Sequence, residues 1–158
     1  MGIDPGLASI GFGAIEIAPG RMRHLGHGCF ETSSSLPIGD RLAAIYDKIV
    51  ELIGEWKPGA AALESLFFWK NVSSALPVAE AKGVIRLAFV RSGVPLEEYS
   101  PTAIKQAVCG SSRAEKDQVQ EMVRLLLGLS ASPRPDHAAD ALATAICRAN
   151  HEGPLARH

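Results

Sequence analysis

The chain predicts an α/β fold: a mixed five-stranded sheet, three antiparallel strands followed by βαβ crossovers, with helices on both faces. Three observations carry this. Residues 10 to 18 and 21 to 32 mix β-branched residues and glycines in rough alternation around Pro19-Gly20, the pattern of a hairpin. Ile38, Leu42, Ile45, Ile49, Leu52 and Ile53 recur at helical spacing. Ala60 to Leu63 is an unbroken run of small apolar residues, which suits a strand covered on both sides.

In order, a short strand ends at Asp4 and turns at Pro5-Gly6, so that with the hairpin it makes three consecutive antiparallel strands. Glycines 11, 13, 26 and 28 within them permit close backbone approach. Ser33-Ser34-Ser35 is a loop before the first helix, which Lys57-Pro58-Gly59 breaks. The strand from Ala60 closes on Glu64. Residues from about Asn71 to Arg91 are helical in composition, and Pro77 either starts the regular helix or kinks it. Pro95 to Tyr99 is a further strand. Ser100-Pro101 supplies an N-cap and first-turn proline for a short helix through Val108. Ser112-x-x-Glu115 is a capping box for a helix to Leu127, and the last helix runs from about Pro135-Asp136 to Asn150.

With 158 residues, the chain is expected to form one domain over 1–150, followed by a tail of 151–158. Hydrophobic residues are 47% and charged residues 21%, a globular rather than disordered balance. A net charge of −1 names no partner, so any nucleic-acid surface must concentrate its Lys and Arg locally. Cys29, Cys109 and Cys147 are odd in number, well separated and without a C-x-x-C pair, which suggests neither a disulfide framework nor a zinc site. No apolar run approaches the roughly 18 residues of a membrane span, and no signal peptide is recognisable. A cytoplasmic protein is expected.

Four residues stand where a core would want none: Asp4 and Glu64 at strand ends, and His137 with Asp140 opening an alanine-rich helix. A carboxylate at the end of a buried strand loses hydration unless a partner neutralises it, and several converging carboxylates repel one another until a cation joins them. An Asp before Pro-Gly is also an ordinary turn former. Glu64 has no local cation before Lys70. His137 and Asp140, three apart, share a helix face, as do Asp136 and Asp140, and spacing alone does not decide between Asp136 and His137. The set reads as a metal site, with Mg2+ the usual occupant of oxygen-rich sites in phosphoester chemistry. Phe67-Phe68-Trp69 beside Lys70 is too aromatic for all three rings to face inward, and an exposed ring there is a stacking platform for an unpaired base. Lys105, Arg113 and Lys116 form a small basic strip suited to phosphates, although a lone Lys is often only solvated.

Taken in order, Gly2-Ile3-Asp4-Pro5-Gly6, Glu64 with Phe67 and Lys70-Asn71, Ser73-Ser74-Ala75-Leu76, Lys105-Gln106, Ala114-Glu115-Lys116 with Gln118-Val119-Gln120 and Met122-Val123, and Ala138-Ala139-Asp140-Ala141-Leu142-Ala143 resemble the RuvC-type Holliday-junction resolvases. The resemblance runs from the first residues to about Asn150. It implies a ribonuclease-H-like fold and a homodimer that nicks opposite strands of a four-way DNA junction, in recombination and repair. By motif position, Asp4, Glu64, His137 and Asp140 match the family's metal-binding catalytic set, and the register of Ala138-Ala139-Asp140 favours His137 over Asp136. Phe67 matches its base-stacking aromatic, with Phe68 a second. Lys105 and Lys116 match basic residues that serve catalysis or phosphate contact. Partnership with a branch-migration motor of the RuvA and RuvB type is likewise implied. The family usually has a longer first strand, and shows Asp or His at position 137.

A metal-dependent endodeoxyribonuclease of this kind would use two Mg2+ per subunit, about 4 Å apart, and leave a 5′-phosphate and a 3′-hydroxyl. An imidazole is a softer ligand than a carboxylate, so Mn2+ is expected to work at least as well. A rival ATPase reading lacks a second phosphate loop or a Walker-type P-loop.

Overall fold

The computed structural model describes residues 1–65 and 72–152. Five strands form one sheet in the order β3-β2-β1-β4-β5. They are β1 Gly2–Asp4, β2 Ser9–Ala18, β3 Arg21–Glu31, β4 Ala61–Glu64 and β5 Leu96–Tyr99. The first three are antiparallel neighbours, while β4 runs parallel to both β1 and β5. The helices are α1 Ile38–Trp56, α2 Val72–Arg91, α3 Pro101–Cys109, α4 Lys116–Leu127 and α5 Asp136–Glu152. The expected mixed sheet with helices on both faces is thus present.

Alternation along β4 divides the core. Ala61 and Leu63 face one layer, with Ile45, Ile49, Leu52 and Ile53 of α1 and Ile85 and Phe89 of α2. Ala62 faces the other, with Ile104 and Val108 of α3, Val119 and Val123 of α4, and Leu142 and Ile146 of α5. All three β4 residues are fully buried, so nothing but small or apolar side chains fits there. Complete burial of Leu63, Ile85 and Phe89 contributes roughly 1.5–3 kcal/mol each.

Local chemistry sets most boundaries. Lys57 ends α1 in the left-handed conformation at φ 44°, its N–H donating to the Ile53 carbonyl, and Pro58 cannot continue the helix. Ser100 caps α3, accepting from Ala103 N at 3.1 Å, with Pro101 in the first turn. Three details differ from the sequence reading. Ile38, expected on the buried face of α1, is 45% exposed, and α1 packs on the sheet only from Leu42 onward. The capping box of α4 sits one turn later than Ser112: Glu115 is the N-cap, and Gln118 Oε1 accepts from its N–H at 2.9 Å. Ser111 instead organises a turn, accepting from Arg113 N, that buries Ala114 before the helix begins. Of the two readings left open at Pro77, the helix does not start there: α2 runs through it, one ladder hydrogen bond short.

Helix α5 crosses β1 and β2 at backbone distance. A Cβ at Gly2 would stand 2.0 Å from the Ala141 carbonyl oxygen, and one at Gly11 would stand 1.9 Å from that of His137. Only glycine admits the helix this closely, and Ala138, Ala141 and Ala145 keep the helix side of the contact thin.

Gly2→Ala should therefore lower stability by about 3 kcal/mol or more, because backbone atoms on both sides cannot yield. Gly59→Ala, where nothing lies within 4 Å, should change it by less than about 1 kcal/mol. Thermal or urea denaturation of the two variants checks this, and equal effects would show that the close packing of α5 is not needed.

Candidate metal centre

Asp4 closes the central strand β1, and Glu64 closes its parallel neighbour β4. The pairing of Ile3 with Leu63 puts the two acids side by side at the carboxyl edge of the sheet. The first turn of α5 descends onto that edge and carries His137 and Asp140 on one face. His137 Nδ1 lies 2.6 Å from Asp4 Oδ2. One potential ligand atom from each of Asp4, His137 and Asp140 falls within 4.8 Å of the others. Glu64 stands just outside this triplet. It joins Asp140, Lys105 and Lys116 in lining a cleft of about 230 Å³, whose apolar wall is Pro101, Ile104, Val119 and Ala143.

The electrostatics are those of a site short of positive charge. Burial, with the charges of the neighbouring Asp4 and Asp140 adding to it, pushes the Glu64 carboxyl up from its ordinary 4.5 to about 7. Burial likewise raises Asp4 against the opposing hydrogen bond from His137. Asp140 is raised by burial too, against the pull of Lys116. Burial alone would lower the Lys116 ammonium, but a hydrogen bond to Asp136 and the charge of Asp140 raise it. Three carboxylates whose ionised forms burial disfavours, grouped with an imidazole, fit a divalent cation. Oxygen donors suit Mg2+, and the nitrogen donor suits Mn2+ at least as well.

The structure brings Asp4, His137 and Asp140 together and sets Glu64 beside Asp140 in the adjoining cleft, from sequence positions up to 136 residues apart. Lys105 and Lys116 reach the rim of the same cleft. Arg113 lies on the exposed turn between α3 and α4 and is not among the cleft-lining residues. Phe67 and Phe68 fall outside the described residues. Between the two rival candidate ligands of α5, Asp136 and His137, the structure separates the surroundings. His137 faces Asp4, whereas Asp136 turns away to Lys116 at 3.1 Å, Arg134 at 2.8 Å and Gln120 at 3.1 Å. Sequence spacing gave no sign of that network, because Gln120 and Lys116 approach from another helix. A larger cleft of about 370 Å³ at the far end of the sheet is lined mostly by apolar groups, including Ile15, Ile17, Leu25 and Trp56. Arg148 is its one charged side chain, so it lacks the acid and base chemistry of the smaller one.

Comparison with known proteins places this geometry. The family model for crossover junction endodeoxyribonuclease RuvC matches residues 1–148. The chain is 50% identical over 150 residues to the crossover junction endodeoxyribonuclease RuvC of Treponema denticola, covering 95% of this chain and 84% of that one. It is 49% identical over 149 residues to that of Chloroflexus aurantiacus, covering 94% and 91%. Among solved structures, T. thermophilus RuvC in complex with Holliday junction substrate superposes with a TM-score of 0.91 at 36% identity, covering 95% of this chain and 92% of that one.

The acid cluster has a pH signature. Because Glu64 is raised in the folded chain, between about pH 4.5 and 7 the folded state binds a proton that the unfolded state has lost. Stability without metal should therefore fall as pH rises through that window, by at most about 3 kcal/mol from this group. Glu64→Gln should flatten the fall and raise Tm by several degrees at pH 8, with little change at pH 4.5. Tm measured against pH for both proteins, in chelator, tests this. Parallel curves would place the strain elsewhere.

Proposed function

The chain belongs to the RuvC family of crossover junction endodeoxyribonucleases, and on that premise we propose that it resolves four-way (Holliday) DNA junctions by paired, symmetric, metal-dependent nicks in recombination and DNA repair. The observation that carries the reading is that Asp4, His137 and Asp140 offer ligand atoms within 4.8 Å of one another while Asp140 also shares a cleft with Glu64, Lys105 and Lys116.

Asp4, Glu64, His137 and Asp140 would hold two Mg2+ per subunit, with Mn2+ also effective. Bound there, divalent cations polarise the scissile phosphate and lower the pKa of a water so that it attacks near neutrality. The protein's own groups do the rest. Glu64, its carboxyl pushed up to about 7 in the bare chain, would release its remaining proton on cation binding, which would couple cation uptake to pH. Asp4 fixes the His137 ring through Nδ1. Lys105 and Lys116 on the cleft rim meet the non-bridging phosphate oxygens as point charges, with Arg113 extending the strip along the DNA backbone. Hydrolysis breaks the P–O3′ bond, so that phosphorus gains hydroxyl from water and O3′ gains a proton, leaving a 5′-phosphate and a 3′-hydroxyl.

Phe67 and Phe68 would stack on bases opened at the crossover. Two subunits are needed because paired nicks on opposite strands need two sites related by the two-fold symmetry of the junction. We further assign a branch-migration motor of the RuvA and RuvB type as partner, and the cytoplasm as location. Cys29, Cys109 and Cys147 are free thiols there, and among the described residues no helix is long and apolar enough to cross a membrane.

Incubation with a labelled four-way junction, a linear duplex and a structured RNA, in Mg2+ or Mn2+, tests the reading. Symmetric nicks in the junction alone are expected. Asp4→Asn should reduce cleavage at least 100-fold while junction binding changes less than threefold, since shape and phosphate contacts carry binding. Normal cutting by Asp4→Asn, or equal cutting of duplex, contradicts the assignment.

A further inference from the structure

Asp136 is held with more care than a helix-terminal acid requires. Its Oδ1 accepts from Gln120 Nε2 at 3.1 Å and from Arg134 Nη1 at 2.8 Å. Gln120 is itself only 6% exposed, so its amide is a fixed anchor. This leaves Oδ2 facing the Lys116 ammonium at 3.1 Å. The same ammonium lies 3.6 Å from Asp140 Oδ2. Lys116 is thus shared between two carboxylates and sits nearer the one outside the Asp4, His137 and Asp140 triplet.

That arrangement matters because an ammonium and a divalent cation compete for the same carboxylate oxygens. Were Lys116 to collapse onto Asp140, a cation would have to displace it before binding. We propose that Asp136 is a positioning residue that draws Lys116 away from Asp140, keeps the Asp140 carboxylate available, and so sets the cation concentration at which the site fills. The inference rests on the reading of Asp4, Glu64, His137 and Asp140 as cation ligands. Asp136 itself binds neither cation nor DNA in this account; it acts through Lys116.

Dependence on Lys116 separates this from a simple charge effect. Losing a nearby negative charge weakens cation binding whatever Lys116 does. A role through Lys116 disappears when Lys116 is gone. The test is a Mn2+ titration of the full chain, read by electron paramagnetic resonance of free Mn2+ and by the Mn2+-induced rise in Tm, for wild type, Asp136→Asn, Lys116→Met and the double variant. Asp136→Asn should raise the Mn2+ dissociation constant about threefold, the scale of a partly exposed ion pair, and the change should shrink in high salt. Lys116→Met should lower it. In the Lys116→Met background, Asp136→Asn should weaken binding by clearly less than in the wild type, only the small direct charge effect remaining. Gln120→Met, which loosens Asp136 without removing a charge, should shift binding in the same direction as Asp136→Asn. Equal weakening by Asp136→Asn in both backgrounds, or no weakening in either, overturns the proposal. Absence of saturable Mn2+ binding by the wild type would overturn the cation reading along with it.

Discussion

Helix α5 meets β1 and β2 at backbone distance, with the carbonyls of His137 and Ala141 resting where Cβ atoms of Gly11 and Gly2 would stand. The consequence is geometric. A helix carried on large side chains would sit farther from the sheet, and its first turn could not lower His137 to 2.6 Å from Asp4. The same contact packs Ala62 of β4 beneath the Leu142 and Ile146 layer, which fixes where Glu64 emerges. Close packing at the glycine floor thus places all four candidate ligands, although none of those glycines carries chemistry.

The electrostatic cost follows from this placement. Asp4, Glu64 and Asp140 are each raised, burial being the largest cause, with repulsion from Asp140 adding to it at Asp4, from Asp4 and Asp140 at Glu64, and from Asp136 at Asp140. Such a cluster destabilises the bare fold near neutrality and makes a cation bind more tightly, since charge and hydration are both missing. Lys116 supplies part of the counter-charge, and its division between Asp136 and Asp140 keeps that compensation partial. A stronger internal salt bridge would stabilise the empty protein at the expense of the loaded one.

Much of this was legible in the chain. The hairpin around Pro19-Gly20, the doubly covered Ala61-Ala62-Leu63 and the ordered helices follow from local periodicity, and such signals are strongest where burial is complete. Asp4 and Glu64 stood out because acids at the ends of apolar strands have few structural uses. The misplaced cap at Ser112 and the exposure of Ile38 arose because turn geometry and helix placement depend on contacts that spacing does not encode. Asp136 is the clearest instance. One residue from His137 and as well spaced from Asp140 on the helix, it faces Lys116, Gln120 and Arg134 instead of Asp4, in a first turn whose His137 carbonyl lies against Gly11 of β2.

The most direct test of the convergence is anomalous diffraction at the manganese absorption edge from crystals soaked in Mn2+. A peak enclosed by the carboxylates of Asp4, Glu64 and Asp140 and the imidazole of His137 is the predicted result. Ordered Mn2+ found only on surface acids away from these four residues, with the cluster bare at saturating metal, would contradict the account.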